Sequence, residues 1–189
     1  MELNKLVVAS GNEHKIKEIR EIFTRVEIIP MKDLGFDGEI NEDGDSFLEN
    51  AVIKAKFIAE KFSVPALADD SGLCVEALGG RPGIFSARYS GGGDKENRAL
   101  LLKELEGVEN RKAYFECGVC LFCPDRIYYL AEGRTYGRIL TEESGENGFG
   151  YDSLFYSDEL KKSFASATAE EKNSVSHRYR ALCDLWKQL

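Results

Sequence analysis

The sequence predicts an α/β fold with a mixed central β-sheet flanked by helices, organised as one domain over residues 1–189. Short apolar runs typical of buried strands, such as Lys5–Ala9, alternate with segments whose apolar residues recur at helical spacing. Strand-like segments at 113–122 and 126–136 flank Pro124-Asp125, a pair typical of a hairpin turn. The 189 residues contain no internal repeat, low-complexity segment or linker that would mark a second domain.

The composition limits the classes of partner. Hydrophobic residues make up 43% of the chain and charged residues 31%, which is ordinary for a globular protein. Lys and Arg total 25 against 33 acids, and the net charge of −8 argues against a nucleic-acid partner. A small phosphorylated ligand needs only a few cations or backbone donors. Met1–Lys5 shows no signal-peptide pattern and no apolar stretch reaches about 18 residues, so we expect a cytoplasmic protein without a membrane partner.

The five cysteines include a C-x2-C-x2-C run that superficially matches an iron–sulfur ligand pattern. Cys117, Cys120 and Cys123 lie in a strand-like segment, however. Residues three apart on a strand point to opposite faces, so Cys120 cannot join the other two around one metal. We expect these cysteines to pack in the core as free thiols.

The first predicted strand leads through a tight polar turn into a helix. Such a junction directs the N–H groups and positive dipole end of the helix at a ligand, and Lys15 would add a full charge for phosphate. The alternative, an ordinary strand-to-helix turn with a solvated lysine, stays open on these residues alone. The candidate phosphate-binding residues are Ser10, Gly11, Asn12, Glu13, His14 and Lys15.

The apolar run Pro65–Ala68 predicts a buried strand that ends at Asp69, Asp70, Ser71 and Gly72. Ligands of open α/β sheets sit beyond the carboxyl ends of strands. Two adjacent acids there are costly unless a cation, most often a metal ion, compensates them. The alternative is an Asp-Ser-Gly turn that merely caps the strand.

Acids and cations elsewhere in the chain can complete this site. A second strand is predicted at 26–29, and the acid-rich loop 35–45 that follows it can contribute a carboxylate to the Asp69-Asp70 pair. Ser46–Glu49 has the pattern of a capping box and opens a helix with an apolar stripe. Lys54 lies in that helix, where an ordinary surface salt bridge is the alternative role.

The second half of the chain carries a glycine-spaced loop and a C-terminal helix. Asp94 is predicted to cap a helix that runs to about Leu105. The loop Glu146–Asp152 is expected to expose Phe149, Tyr151 and Asp152. Thr168–Glu171 is another capping-box pattern, and it is predicted to open a helical segment through Lys172, His177 and Arg178 to the end of the chain.

Six strings, in this order and over nearly the whole chain, together resemble the inosine triphosphate pyrophosphatase family, whose enzymes hydrolyse noncanonical purine nucleoside triphosphates. Each string is weak by itself, and the resemblance depends on all six in register. The strings are Ser10-Gly11-Asn12-x-x-Lys15, Asp69-Asp70-Ser71-Gly72-Leu73, Gly79-Gly80-x-Pro82-Gly83, Ser86-Ala87-Arg88-Tyr89, Phe149-Gly150-Tyr151-Asp152 and Ser176-His177-Arg178.

The resemblance implies Mg²⁺-dependent cleavage of dITP, ITP, XTP or dXTP to the monophosphate and pyrophosphate by a homodimeric enzyme. We accordingly expect one elongated domain with an active-site cleft. By the same resemblance, Asp70 is the general base and a metal ligand, and Glu42 is the second metal ligand. The Ser10–Lys15 turn holds the triphosphate and Ser71 contacts the substrate. The residues implied to enclose the base are Phe149, Gly150, Tyr151, Asp152, Lys172, His177 and Arg178.

Base selection has a physical rationale. Hypoxanthine and xanthine carry a carbonyl where adenine carries an amino donor, so donors such as Lys172, His177 and Arg178 favour them. A mismatch of this kind can discriminate by about 10⁴–10⁵. Phe149 or Tyr151 is suited to stack on the purine.

The chain departs from the family pattern at Asn41, Ser153 and Ser166-Ala167. These departures leave open which loop acid binds metal and the shape of the aromatic loop. One alternative is a related pyrophosphatase of the septum-formation type, whose first loop usually has a serine and an arginine in place of Asn12 and Lys15. A catalytically silent nucleotide-binding module is the other alternative.

Overall fold

The computed structural model describes residues 4–189, and the chain divides into two compact units. The first unit comprises the chain up to Asp70, Cys117–Gly133 and Arg178–Leu189. The second comprises Ser71–Glu116 and Arg134–His177. The segment Met1–Lys5, in which the sequence shows no signal-peptide pattern, lies partly outside the described residues, because residues 1–3 are not among them. Across the rest of the chain, every helix is too short or too polar to cross a membrane.

A mixed seven-stranded sheet confirms the predicted fold class. The first strand pairs in parallel with the second and the third, and the sixth pairs antiparallel with the fifth and the seventh. The strands are β1 (Lys5–Val8), β2 (Glu27–Pro30), β3 (Ala66–Val75), β4 (Lys112–Phe122), β5 (Tyr128–Ile139), β6 (Phe155–Ser157) and β7 (Lys162–Ser163). Their order across the sheet is β2-β1-β3-β4-β5-β6-β7. The helices are α1 (Glu13–Ile22), α2 (Phe47–Phe62), α3 (Asp94–Glu104), α4 (Ala169–Val175) and α5 (His177–Trp186).

The first unit has a hydrophobic core on each face of its strands, because strand side chains alternate between faces. Leu6 and Val8 of β1 pack in one cluster with Ile16 and Ile19 of α1 and with residues of α5. Val7 and Ala9 belong to the other cluster, together with Ala51, Ala55 and Ile58 of α2. The apolar periodicity of the sequence therefore predicts both helix–sheet interfaces.

The sequence signals for helix starts are confirmed at α2 and α4, but the predicted cap of α3 is wrong, because Gly93 is the N-cap and Asp94 is the first helical residue. The Thr168 hydroxyl and the Glu171 carboxylate form the complete reciprocal box at the start of α4. At α2 the Ser46 hydroxyl accepts from Glu49 N at 3.2 Å, but the Glu49 carboxylate accepts from Asp45 N instead of Ser46 N. The predicted C-terminal helical segment is two helices, since Ser176 has extended backbone dihedrals between α4 and α5.

The predicted end of the third strand is wrong. β3 continues through the acid pair and runs from Ala66 to Val75. Aspartate disfavours strands, but Asp69 and Asp70 are both buried and both have charged partners. Alternation along β3 places Leu67 in the cluster with α1, and Ala66 and Ala68 in the cluster with α2. The two aspartates therefore face opposite sides of the sheet, Asp69 toward α1 and α5 and Asp70 toward α2.

The same alternation confirms the cysteine interpretation. Cys117 and Cys123 lie in the cluster with α1, whereas Cys120 lies in the cluster with α2. All three are buried free thiols. The turn that follows Cys123 joins β4 to β5, and the bond from Cys123 N to the Ile127 carbonyl at 2.8 Å closes the predicted hairpin.

Candidate active site

The turn before α1 uses its own side chains to hold its shape. The amide oxygen of Asn12 accepts hydrogen bonds from His14 N at 3.0 Å and Lys15 N at 3.2 Å. The Ser10 hydroxyl accepts from Asn12 N at 3.1 Å. Gly11, Asn12, Glu13 and His14 are exposed. The first turn of α1 therefore presents the predicted phosphate-binding segment at the surface, with Asn12 already capping two of its N–H groups.

Lys15 connects this turn to β3. Its ammonium lies 3.2 Å from Asp69 Oδ2, and its side chain is only 13% exposed. Burial is the largest single influence on Lys15 and opposes its charged form, but the nearby negative groups, Asp69 first among them, together raise the pKa of the lysine. Lys15 is therefore a fixed positive charge at the start of α1.

Asp69 belongs to a buried ion cluster with Arg178 and Glu18. The Arg178 Nε and Nη2 donate to Asp69 Oδ2 at 3.1 and 3.0 Å, and its Nη1 donates to Glu18. Burial alone would raise the pKa of Asp69, but Lys15 and Arg178 hold it well below its usual range. Asp69 is thus a carboxylate that is ionised at neutral pH and joins β3 to α1 and α5.

This cluster bears on the predicted role of Arg178. The sequence-based prediction made its guanidinium a donor to the purine base. In the structure the side chain is 1% exposed, and three of its N–H groups are directed at Asp69 and Glu18. Contact with a base would require the guanidinium to leave two carboxylates inside the core. The structure therefore places Arg178 within the ion cluster.

On the opposite face of β3, Asp70 lies in a second cluster built from α2 and the acid-rich loop. The Lys54 ammonium lies 2.8 Å from Glu42 Oε2 and 3.7 Å from Asp70 Oδ1. Asn50, one turn before Lys54 on the same helix face, donates from Nδ2 to Asp70 Oδ2 at 3.0 Å. Lys54 is buried, so the predicted alternative of a surface salt bridge is wrong.

Asp70 differs electrostatically from its neighbour. Burial raises the pKa of Asp70, and Lys54 and Lys15 offset only part of that rise, while Glu42 adds to it. A carboxyl with a raised pKa next to a second acid and a cation is typical of a functional site.

The donor set fits a hard divalent cation. Glu42 and Asp70 direct oxygens at one positively charged group, the Lys54 ammonium, which shows that a cation is compatible with this position. Among residues 4–189, no cluster of three or more His, Cys, Asp or Glu side chains is suited to hold a metal. Mg²⁺ is commonly bound by one or two carboxylates plus water and phosphate oxygens, so two carboxylates suffice.

The second unit contains a buried ion pair beside an aromatic ring. The Lys172 ammonium lies 2.6 Å from Asp152 Oδ2 and 4.8 Å from the centroid of the Phe149 ring. Asp152 Oδ2 also accepts from Phe149 N at 2.9 Å, which fixes the loop. This places three of the residues predicted to enclose the base next to one another.

The other predicted base-site residues have different surroundings. The prediction that Tyr151 is exposed is wrong: it is 5% exposed and its hydroxyl donates to the Ser86 carbonyl at 2.9 Å. Asp152 is also buried rather than exposed, and Phe149 is half-buried. His177 is buried with its ring stacked on Phe115 at a centroid distance of 4.9 Å. Gly148 and Gly150 of this loop have positive φ angles of 78° and 59°, a conformation that glycine adopts readily.

Two predicted site residues remain, Gly150 and Ser71. Gly150 N donates to Asp94 at 2.8 Å, and its carbonyl accepts from Arg98 at 2.9 Å, so both polar groups shape the loop. Ser71 follows Asp70 on β3 and is half-buried.

Sequence reasoning missed Asn50 and Glu18, which contact Asp70 and Arg178. Asn50 and Lys54 are four residues apart on a predicted helix, so their shared face was a usable signal. Glu18 carried no such signal, because its partner Arg178 is 160 residues away along the chain.

The family model described as the Ham1 family matches residues 6–188, and the chain belongs to this family. A curated relative from Thermoanaerobacter sp. (strain X514), named dITP/XTP pyrophosphatase, is 47% identical over 187 residues, or 96% of this chain and 94% of the relative. A Haemophilus influenzae protein of the same name is 47% identical and covers 98% of each chain.

Solved structures of similar proteins support the same family assignment. The Staphylococcus aureus Ham1 protein is 38% identical, covers 97% of each chain and gives a TM-score of 0.88. A Mycobacterium abscessus structure described as nucleoside-triphosphatase / dITP/XTP pyrophosphatase is 41% identical with a TM-score of 0.77, over 96% of this chain and 98% of that one.

Proposed function

We propose that this protein is a Mg²⁺-dependent hydrolase that converts dITP, ITP, XTP and dXTP to the nucleoside monophosphate and pyrophosphate. The observation that carries the proposal is the convergence of Glu42 and Asp70 on the Lys54 ammonium. Relatives named dITP/XTP pyrophosphatase, 47% identical over nearly the full chain, support the substrate class. The proposed role is to remove noncanonical purine nucleotides from the nucleotide pool.

Glu42 and Asp70 are the residues that would hold Mg²⁺. When bound, the ion supplies positive charge that neutralises phosphate oxygens during displacement at phosphorus. Lys54 contacts both carboxylates and contributes a second positive charge for the phosphates. The residues that hold the triphosphate are, by this proposal, the Ser10–Lys15 turn and Ser71, with the Lys15 charge and the dipole of α1 favouring the anion.

Asp70 acts in this proposal as the general base. It accepts a proton from a water molecule whose oxygen forms the new bond to the α-phosphorus. The bond from that phosphorus to the bridging oxygen breaks, and pyrophosphate leaves with the bonding electron pair. General base catalysis of this kind typically contributes about 10²–10⁴ in rate.

Residues of the second unit select the base. Phe149 offers an aromatic face, and Lys172 and His177 offer donors for the six-carbonyl of hypoxanthine or xanthine. Asp152 orients Lys172 through the 2.6 Å ion pair. Gly150 and Tyr151 shape the loop through their bonds to Asp94, Arg98 and Ser86. Adenine presents an amino donor to these donors and is disfavoured.

We also place the enzyme in the cytoplasm as a homodimer, without a nucleic-acid or membrane partner. The resemblance to the inosine triphosphate pyrophosphatase family supports the dimer. The net charge of −8 opposes binding to a polyanion.

The test is an assay of a panel of nucleoside triphosphates for pyrophosphate release, with Mg²⁺ and with a chelator. We expect dITP, ITP and XTP to be hydrolysed far faster than ATP, GTP or pyrimidine nucleotides, and only with Mg²⁺. The initial products should be the monophosphate and pyrophosphate. Inosine diphosphate as an initial product would contradict the proposed bond cleavage, and binding of dITP without turnover would favour the silent module. Preferred hydrolysis of pyrimidine nucleotides would favour the septum-formation type.

A further inference from the structure

We propose that Asn50 is a positioning residue for the metal site, because its amide ties the carboxylate of Asp70 to the loop that carries Glu42. The inference rests on the metal binding proposed above. It concerns a residue whose side-chain amide bonds to the side chain of one ligand and to the backbone of the loop that supplies the other.

The side-chain amide of Asn50 forms one hydrogen bond to the Asp70 carboxylate and one to the backbone of the acid-rich loop. Its Nδ2 donates to Asp70 Oδ2 at 3.0 Å, and its Oδ1 accepts from Gly44 N at 2.9 Å. The residue is 1% exposed, so water does not replace either bond. An amide is suited to this position because it carries a donor and an acceptor on one rigid group.

The bond to Asp70 determines which carboxylate oxygen is available. Oδ2 is directed at Asn50, whereas Oδ1 faces the Lys54 ammonium at 3.7 Å. Glu42 Oε2 contacts the same ammonium at 2.8 Å. Asn50 therefore orients Asp70 so that its other oxygen and the Glu42 carboxylate face one cation.

The bond to Gly44 fixes the loop that holds Glu42, two residues upstream. A Cβ on Gly44 would lie 2.8 Å from Asn50 Oδ1 and 2.8 Å from Glu49 Cβ, so only glycine allows this approach. The next residue, Asp45, donates from its backbone N to Glu49 Oε2 at 2.7 Å. Consecutive loop residues are thus bonded to consecutive residues of the first turns of α2.

A purely structural role for a buried amide is the competing explanation, and the chain offers a matched control. Asn97 in the second unit is also 1% exposed. Its amide donates to the Ala87 carbonyl at 3.1 Å and accepts from Ser90 N at 2.8 Å. Loss of either amide should destabilise the fold, but only the loss of Asn50 should change metal binding.

The experiment titrates the full-length protein with Mn²⁺ alone, without nucleotide, and measures free Mn²⁺ by electron paramagnetic resonance. Loss of a residue that orients a metal ligand typically weakens metal affinity by about 10–100-fold. We expect a loss in that range for Asn50→Ala. Gly44→Ala, which disturbs the same link from the loop side, should weaken binding in the same direction. Asn97→Ala should bind Mn²⁺ like the wild type.

Each outcome bears on the inference. Wild-type Mn²⁺ affinity in Asn50→Ala overturns it, and so does an equal loss in Asn97→Ala. If Asn50→Ala fails to fold, wild-type affinity in Gly44→Ala overturns it. Failure of the wild type to bind Mn²⁺, or unchanged binding in Asp70→Asn, contradicts the proposed metal site itself.

A kinetic measurement of the Mg²⁺ requirement separates a positioning role from general destabilisation of the fold. In Asn50→Ala, the Mg²⁺ concentration for half-maximal dITP hydrolysis should rise about 10–100-fold. The rate at saturating Mg²⁺ should fall by a smaller factor. A lower saturating rate with an unchanged Mg²⁺ requirement would contradict a positioning role.

Discussion

The two faces of β3 show how one strand holds neighbouring carboxylates in different ways. Asp69 faces α1 and α5, where Lys15 and Arg178 surround it and hold its pKa far below the usual range. Asp70 faces α2, where burial raises its pKa and its nearest cation, Lys54, is shared with Glu42. The residue type and the strand are the same, so the partners supplied by the rest of the fold make the difference.

The comparison separates a structural charge from a reactive one. Arg178 forms two charge-assisted bonds to Asp69 inside the core, which bind that carboxylate to the fold. At Asp70 the Asn50 amide donates to Oδ2, and the Lys54 ammonium lies farther away, at 3.7 Å from Oδ1. A carboxylate whose charge partner lies farther away is better suited to exchange that partner for a metal ion or a water proton.

The largest expected effect is on the Asp70 face. Asp70→Asn should reduce turnover of dITP by at least about 10²–10⁴, because the substitution removes the proposed base and a metal ligand together. Its melting temperature should stay at or above that of the wild type, since a buried carboxylate with a raised pKa costs folding energy. Steady-state kinetics and thermal denaturation of the same preparation measure both quantities. A variant that keeps a tenth of wild-type turnover would refute the assigned role.

The second expected effect is on the Asp69 face and concerns stability. Asp69→Asn leaves Lys15 and Arg178 without their shared carboxylate, and breaking a buried pair costs about 3–5 kcal/mol. Urea denaturation at pH 7 measures the loss. Because the folded pKa of Asp69 is lowered, its contribution is complete above the unfolded pKa of about 3.9 and is lost as the pH falls through the lower folded pKa. An unfolding free energy equal to that of the wild type would contradict the structural role.

Arg178→Ala tests whether the guanidinium belongs to the ion cluster or to the base site. The structure predicts a loss of stability similar to that of Asp69→Asn, because both substitutions break the same pair. It also predicts that kcat/KM for ITP and for ATP falls by similar factors. Measuring the ITP to ATP ratio separates the assignments. A selective loss of ITP hydrolysis, by about 10–150-fold for a charge-assisted bond, would show instead that the Arg178 guanidinium donates to the purine base.

The smallest expected effect concerns how fast the individual cysteine thiols react with an alkylating reagent. Burial raises the pKa of Cys120 to about 12 and that of Cys74 to about 11, so little thiolate forms at pH 8. Iodoacetamide should therefore modify the half-buried Cys183 first. Peptide mass spectrometry measures the order, with urea-unfolded protein as the control in which all cysteines react. Early modification of Cys120 would contradict the burial of its thiol.

Local patterns predicted much of this fold correctly. Apolar periodicity located β1, α1 and α2, and alternation along β4 correctly separated Cys120 from Cys117. The capping box at Thr168 located the start of α4. Each of these features depends on residues close together in the sequence, and that is why the sequence alone was enough.

The failures have one common physical cause, which is pairing between distant residues. The sequence predicts that β3 ends at Asp69, where the apolar run meets polar residues, but Arg178, 109 residues away, compensates the buried carboxylate. Tyr151 was expected in an exposed loop, yet the Ser86 carbonyl, 65 residues away, accepts its hydroxyl hydrogen bond. Composition and spacing do not report such partners.

The most direct test of the contrast between the two faces is a Mn²⁺ titration of Asp69→Asn and Asp70→Asn, side by side, at a temperature where both are folded. Removal of a metal ligand should weaken binding more than the roughly 10–100-fold effect of an outer partner. We therefore predict that Asp70→Asn loses Mn²⁺ binding by at least about 100-fold, while Asp69→Asn stays close to the wild type. Equal losses in both variants, or a larger loss in Asp69→Asn, would contradict the division of β3 into a structural face and a reactive face.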